Sequence, residues 1–205
     1  MRSRNEVHVI GKQLGVIVLA TVLTPFLLCL GGNETNQVSG AVQGGAGKTN
    51  LVGEMAPVFV LRNTGGDFRS LGELCYAGEE KPGKPRSVVV LDFFSVDCEP
   101  CKREMSSFLK IAREFRGKRV QFFLVCVDPA SRDNDLKTLM KDKEVDCEVL
   151  LDMYKVAFEK FKIKSVPRTL VIAKDRKICE DIAGAHDDFE ATLRRAIEKT
   201  LSAEK

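Results

Sequence analysis

Two cysteines separated by two residues, Cys98 and Cys101, are the part of the sequence best suited to chemistry. This spacing lets both sulfurs meet in a small ring, so the pair can alternate between dithiol and disulfide. A continuous apolar run, 88–94, precedes the pair, and apolar residues at helical spacing follow it. Cys98 is therefore predicted at a helix N-terminus, where free N–H groups and the helix dipole stabilise the attacking thiolate. Cys101, one turn into the helix, is predicted to be the resolving thiol.

Zinc binding is the main competing use of such a pair, and the sequence does not favour it. A structural zinc ion needs four ligands. The chain has no second pair of this spacing, and its only histidines are His8 and His186. We therefore expect neither a metal ion nor a cofactor.

The chain outside this pair sets the compartment and the partners. The formal net charge is +3, and no basic run is dense enough to indicate nucleic-acid binding. Seven cysteines favour an oxidising compartment. Cys126 is expected to be an inert core residue, and three pairings stay open for the four cysteines outside the pair and the leader: Cys75, Cys126, Cys147 and Cys179.

A leader and a linker are predicted ahead of the folded domain. Residues 1–12 are polar and basic, whereas 13–33 are uncharged and strongly apolar, which is typical of a secretory signal and also long enough to cross a bilayer. A cleaved signal, a retained anchor and lipidation at Cys29 stay open. All three place the domain outside the cytoplasm, with residues 1–33 as signal peptide or membrane anchor. Residues 34–50 form a glycine-rich linker and 51–205 the domain.

Alternating apolar runs and amphipathic segments from residue 51 onward predict an α/β sandwich with a mixed sheet. The predicted strands are 58–61, 88–94, 120–127, 169–173 and 177–182. The predicted helices are 70–75, a segment around 105–115, 135–143, 154–161 and 189–201. Pro167 stands immediately before one strand, where a cis bond to Val166 is expected, and Gly184 follows the last strand. We expect these three residues to form, beside the cysteine pair, a groove that binds an extended peptide.

These motifs resemble those of the TlpA/ResA-like thiol–disulfide oxidoreductases of the thioredoxin superfamily. The resemblance covers residues 53–201 and rests on the opening segment 53–59, the active-site strand and turn 90–101, the cis-proline loop 165–167 and the groove segment 182–185. It implies a thioredoxin-like three-layer sandwich with a mixed central sheet. It also implies protein-disulfide reductase activity without a cofactor, and segment 98–104 is similar to the cytochrome c maturation branch.

The resemblance further implies roles for two acids. Asp92 aligns with the buried acid of thioredoxin, which would take the proton of Cys101, and Glu104 matches an acid beside the active site. The sequence departs from the family at Asp97, where tryptophan is usual, and at Arg168, where a small polar residue is common.

The implied substrates are secreted or periplasmic proteins that contain cysteine, with apo-cytochrome c among them, and the implied electron source is a membrane-bound thiol donor. Reduction is the expected direction, because like charge disfavours a thiolate and four acids surround the pair. These acids are Asp92, Asp97, Glu99 and Glu104, and the basic residues Lys102, Arg103 and Arg168 act against them.

Two alternative functions stay open. A thiol peroxidase could use Ser95 ahead of the reactive cysteine, although position 91 is leucine where such enzymes carry proline. A copper-binding chaperone could use Cys98, Cys101 and His186, although that family spaces its cysteines one residue wider.

Overall fold

The computed structural model describes residues 50–79, 81–83 and 85–203, so the predicted leader and nearly all of the predicted linker lie outside the described residues. Within these ranges the chain forms seven strands, five α-helices and one 3₁₀ turn. The strands are β1 Val60–Asn63, β2 Phe68–Ser70, β3 Val88–Phe94, β4 Val120–Cys126, β5 Glu148–Leu151, β6 Arg168–Ile172 and β7 Ile178–Ala183. The helices are α1 Leu71–Leu74, α2 Glu99–Glu114, α3 Asp133–Asp142, α4 Val156–Lys160 and α5 Phe189–Ala203, with the 3₁₀ turn at Ala130–Arg132.

The strands form one mixed sheet in the order β2-β1-β5-β4-β3-β6-β7. Strands β3, β4 and β5 are parallel, whereas β6 runs antiparallel to β3 and β7 antiparallel to β6. The carboxyl ends of β3, β4, β5 and β7 and the start of β6 therefore lie together at one end of the strands. The residues discussed below lie at this end.

The sheet is covered on both faces, which confirms the predicted three-layer sandwich. All seven residues of β3 are buried, and alternate side chains enter opposite cores because successive residues of a strand point to opposite faces. Val88, Val90 and Phe94 pack with residues of α2, α3 and α5. On the other face, β3 packs with residues of α1 and α4.

Two of the seven strands were missed by the sequence analysis, and their shortness explains why. Strand β5 has four residues and β2 has three, too few for a clear period-two pattern. Strand β5 is defined by its partners instead, since it pairs with β4 through Val125 and Leu150 and with β1 through Asn63 and Leu150.

Residues 51–56 belong structurally to the edge of the sheet beside β7. Leu51 is only 2% exposed, and its N–H donates to Asp181 Oδ2 at 2.8 Å. Gly53 N–H donates to the carbonyl of Ile178 at 2.8 Å, and Met55 bridges to Lys177. We propose that the folded domain begins here. No helix among the residues that the structure describes is both long and apolar enough to cross a membrane.

A chain that begins at Asn50 should unfold cooperatively in urea. In that shortened chain, Leu51→Ala should lower the free energy of unfolding by about 2–4 kcal/mol, because it removes a buried side chain. Val52→Ala is the matched control, since Val52 is 47% exposed, and should change the free energy of unfolding by less than about 0.5 kcal/mol. Aggregation of the shortened chain, or equal effects of the two substitutions, would contradict this domain boundary.

Candidate active site

Cys98 and Cys101 are joined by a disulfide at the start of α2. Cys98 is the N-cap residue of this helix, and its sulfur accepts a hydrogen bond from the Cys101 N–H at 3.2 Å. Pro100 lies in the first helical turn, where its missing N–H costs no helical hydrogen bond. Cys98 is partly exposed, whereas Cys101 is 1% exposed. This difference is the one that an attacking and a resolving thiol require.

The turn that carries Cys98 is held by Asp128, which follows β4. Asp128 accepts hydrogen bonds from the Ser95 hydroxyl and the Val96 N–H, both at 2.7 Å. The Ser95 carbonyl in turn accepts from the Cys98 N–H at 3.1 Å. Sequence reasoning missed Asp128. The available signal was an acid directly after a buried strand, next to the end of the parallel strand that leads to the cysteine pair.

The two exposed acids of the turn are each paired with a cation. Asp97 receives two hydrogen bonds from the Arg132 guanidinium, at 2.5 and 2.7 Å, and this pairing lowers the pKa of Asp97. Glu99 pairs with the Lys102 ammonium at 2.7 Å, which lowers its pKa too. The sequence analysis expected both carboxylates to act against the thiolate. The structure reduces that effect, because each negative charge is offset by a neighbouring positive charge.

Asp92 is buried in β3 beneath the turn. The residue is 2% exposed, and its carboxyl group accepts a hydrogen bond from the Thr169 hydroxyl at 2.8 Å. Burial raises the pKa of Asp92 to about 7; the Thr169 bond acts in the opposite direction and the charge of Glu104 adds to the rise. The Asp92 side chain points to the same face of β3 as Val90 and Phe94, and these two residues pack in the same cluster as Cys101. The sequence placed the acid, whereas Thr169 is a partner that only the sheet register reveals.

Glu104 lies one turn beyond Cys101 on α2 and is 8% exposed. Burial raises the pKa of its carboxyl group, while the hydrogen bond that it accepts from the His186 N–H, at 2.7 Å, opposes the rise. This bond ties α2 to the loop that follows β7. The imidazole Nε2 of His186 lies 3.1 Å from the Ala183 carbonyl, so backbone and ring both anchor this loop.

The three predicted groove residues, Val166, Pro167 and Gly184, lie together at the same end of the strands. The Val166–Pro167 peptide bond is cis, as the sequence analysis expected. The Gly184 N–H donates to the Pro167 carbonyl at 3.0 Å, and Gly184 has φ +81°, a conformation that favours glycine. Val166 packs against the cluster that contains Cys101, and Cys98 packs against the same cluster. Because Arg168 pairs with Phe93 in the register of β6 and β3, Pro167 and Val166 extend past the end of β3, where the redox turn begins.

Arg168 was expected to act on the cysteine pair, and the structure places its charge elsewhere. Its side chain is buried on the other face of the sheet, where its Nε lies 2.5 Å from Asp181 Oδ1. The alternation of side chains along β6 explains this, because Thr169 faces Asp92 and Arg168 must therefore face away.

The remaining cysteines of the described chain, Cys75, Cys126, Cys147 and Cys179, are free thiols. Burial raises the pKa of Cys126 and of Cys147 to about 12, so both stay protonated near neutral pH. Cys126 is buried and donates to Asp128, which fits the expected core role. The described residues contain no cluster of three or more His, Cys, Asp or Glu side chains able to hold a metal ion.

Comparison with known proteins identifies the family. The model of the AhpC/TSA family matches residues 52–180. The chain belongs to the AhpC/TSA family. Among curated proteins, it is 27% identical to the thiol-disulfide oxidoreductase ResA of Bacillus subtilis over 174 residues, which cover 84% of this chain and 87% of ResA.

Comparison with solved structures shows the fold. The fold matches a protein assigned as the thiol:disulfide interchange protein DsbE of Chlorobium tepidum, with a TM-score of 0.63, 21% identity and coverage of 73% of this chain and 97% of that one. It also matches the thioredoxin domain of a thiol-disulfide oxidoreductase of Bacteroides vulgatus, with a TM-score of 0.59, 21% identity and coverage of 71% and 97%. These likenesses show the thioredoxin-like fold. The relationship to ResA and the Cys98–Cys101 disulfide make this AhpC/TSA-family chain a thiol–disulfide oxidoreductase.

The buried acid of this AhpC/TSA-family domain should make stability depend on pH. Asp92 has a pKa of about 7 in the folded chain, against about 3.9 when unfolded. The folded state therefore keeps a proton that the unfolded state loses, and the free energy of unfolding should fall by about 4 kcal/mol between pH 4 and pH 8. Asp92→Asn should remove this part of the pH dependence in urea unfolding of the oxidised protein.

Thr169 provides the matched test of the same bond. Thr169→Val removes the donor to the Asp92 carboxylate, so the fall in stability should extend to higher pH, whereas Thr169→Ser keeps the hydroxyl and should behave like the parent chain. An Asp92→Asn profile parallel to that of the parent would show that Asp92 ionises normally.

Proposed function

We propose that the protein reduces disulfide bonds of cysteine-containing protein substrates outside the cytoplasm. The observation that carries the proposal is a helix-capping disulfide whose outer sulfur, Cys98, is partly exposed. It follows β3, and Val166 and cis-Pro167 precede the antiparallel partner strand β6 at the same end. An extended substrate segment can pair with the Val166 backbone by β-addition while its disulfide meets Cys98.

The reduced pair would act in two steps. The Cys98 thiolate attacks one sulfur of the substrate disulfide, forms a mixed disulfide and releases the other substrate sulfur as a thiolate, which takes up a proton. Cys101 then loses its proton, attacks the Cys98 sulfur and releases the second substrate thiol. Two electrons pass to the substrate, and the protein is left with the Cys98–Cys101 disulfide that the structure shows.

Asp92 is the group we assign to accept the Cys101 proton. Its pKa of about 7 suits a general base near neutral pH. We assign Glu104 a supporting role, because it joins α2 to the groove loop through the His186 N–H.

Reduction is the direction we propose. The charges of Asp97 and Glu99 are offset by Arg132 and Lys102, so the argument rests on the two buried acids, Asp92 and Glu104. A buried carboxylate near the pair disfavours a second negative charge on sulfur. A protein that holds its reduced pair as a less stable thiolate gives electrons more readily.

The proposed location and partners rest on the leader and on the resemblance to the cytochrome c maturation branch. Residues 1–33 would export or anchor the domain, and residues 34–50 would tether it. Secreted or periplasmic proteins, apo-cytochrome c among them, would be the substrates, and a membrane-bound dithiol donor would regenerate the reduced pair.

The structure favours neither alternative function. The Ser95 hydroxyl, which a peroxidase would need near the reactive sulfur, donates to Asp128 instead. The His186 ring, which a copper site would need, lies against the Ala183 carbonyl.

Cys98 should be the more reactive thiol of the reduced protein. Brief treatment with iodoacetamide at pH 7, followed by mass spectrometry, should label Cys98 at least about tenfold more than Cys101, because the helix N-terminus favours its thiolate. Cys147 serves as the internal reference for an unreactive thiol, since its pKa is about 12. Preferential labelling of Cys101 would reverse the assigned roles.

Trapping tests the proposed function itself. The full-length Cys101→Ser protein, expressed with its leader, should accumulate mixed disulfides with extracytoplasmic proteins, because the second step is blocked. The Cys98→Ser protein is the control and should accumulate none. Trapping of cytoplasmic proteins alone would contradict the proposed location. Peroxide consumption at rates typical of peroxidases, without mixed disulfides, would replace reductase by peroxidase activity.

A further inference from the structure

The charged residues of the redox turn compensate each other. Asp97 pairs with Arg132, and Glu99 pairs with Lys102. Opposite charges in contact produce a weak field beyond about one Debye length. A docked substrate would therefore respond to the charges at the two ends of the groove and to Arg103, which is exposed on α2 and whose charge acts on Glu99 and Glu104.

One end of the groove carries lysines. Lys162 and Lys164 are exposed and precede Val166, while Ile163 between them is 4% exposed and packs in the core. The two lysines therefore share the outward side of this segment. Their nearest lysine along the chain, Lys160, is engaged with the Val58 carbonyl at 2.9 Å.

The other end carries aspartates. Asp187 and Asp188 are exposed and follow Gly184 in the loop between β7 and α5. This loop is held beside the groove at two points, by the Gly184 N–H on Pro167 and by the His186 N–H on Glu104. The lysines precede Val166 in the chain, whereas this loop is tied to Pro167, which follows Val166. Asp188 also accepts a hydrogen bond from the Thr192 hydroxyl at 3.1 Å.

The backbone of Val166 gives the strand direction. In the described part of the chain, its N–H and C=O form no hydrogen bond, and Pro167 has no N–H to offer. One residue can exchange both hydrogen bonds with a single partner residue only in an antiparallel pair. In an antiparallel substrate segment, the residues that follow the substrate's reactive cysteine run toward 162–165. The residues that precede this cysteine run the other way, toward 184–188.

We propose that the groove selects substrate segments by charge polarity: basic residues before the reactive cysteine, facing Asp187 and Asp188, and acidic residues after it, facing Lys162 and Lys164. This inference rests on the proposed function, since it describes the substrate of the same groove. Charge complementarity of this kind changes association rates and partner choice more than it changes total affinity.

The test uses the reduced full-length protein and three heptapeptides, each with one central cysteine in a disulfide with mercaptoethanol. One peptide has two arginines before the cysteine and two glutamates after it, one has the reverse order, and one is uncharged. At low ionic strength the arginine-first peptide should react roughly fivefold faster than the reversed peptide, and the difference should shrink in 0.5 M salt.

Charge reversal in the protein completes the test. Lys162→Glu with Lys164→Glu, and separately Asp187→Lys, should lower or invert the preference, while the rate with the uncharged peptide should change less than about twofold. The matched controls are Lys177→Glu with Lys199→Glu, and Glu198→Lys, all exposed residues. Lys177 stands directly before β7, opposite to the end that leads to Gly184, and Glu198 and Lys199 lie toward the far end of α5. These controls should keep the original preference.

The outcomes separate this inference from the proposed function. Equal rates for the two charged peptides, a preference for the reversed peptide, or an equal effect of the control variants would overturn the inference while leaving disulfide exchange intact. Failure to react with all three peptides would instead count against the proposed function.

Discussion

The complete burial of β3 is the constraint on which the rest of the structure depends. This strand is covered on both faces and paired on both edges, with β4 in parallel and β6 antiparallel. Its carboxyl end therefore has one rigid position, and the redox turn starts there. The same burial raises the pKa of Asp92, because the strand carries that carboxyl group into the core on the face of the sheet that packs with Cys101.

Electrostatics divides the site into an outer and an inner part. On the surface, Asp97 and Glu99 are each paired with a cation, so the turn carries little net charge. In the interior, Asp92 and Glu104 are satisfied by a hydroxyl and a backbone N–H, respectively, neither of which carries a formal charge. The interior acids are therefore the ones whose pKa values are raised by burial.

Asp128 and Arg132 show how this chain supports a redox turn that lacks tryptophan. Asp128 binds the turn from the end of β4 through Ser95 and Val96, and Arg132 binds Asp97 from the 3₁₀ turn that follows. Both contacts come from the same β4–α3 connection. The turn is thus held by polar contacts to a neighbouring loop rather than by the packing of a large aromatic side chain.

The sequence by itself determined the chemistry, the longer elements and the fold class, because these depend on local patterns: two cysteines at the start of a helix, apolar runs and helical periodicity. Only the tertiary structure decided which residues meet. Strand β5 is too short to be recognised without its partners, and the contact between Thr169 and Asp92 follows from the antiparallel register of β6 and β3. The pairing of Arg168 with Asp181 has the same cause, since the direction of a strand side chain depends on its parity within a sheet whose neighbours are distant in the chain.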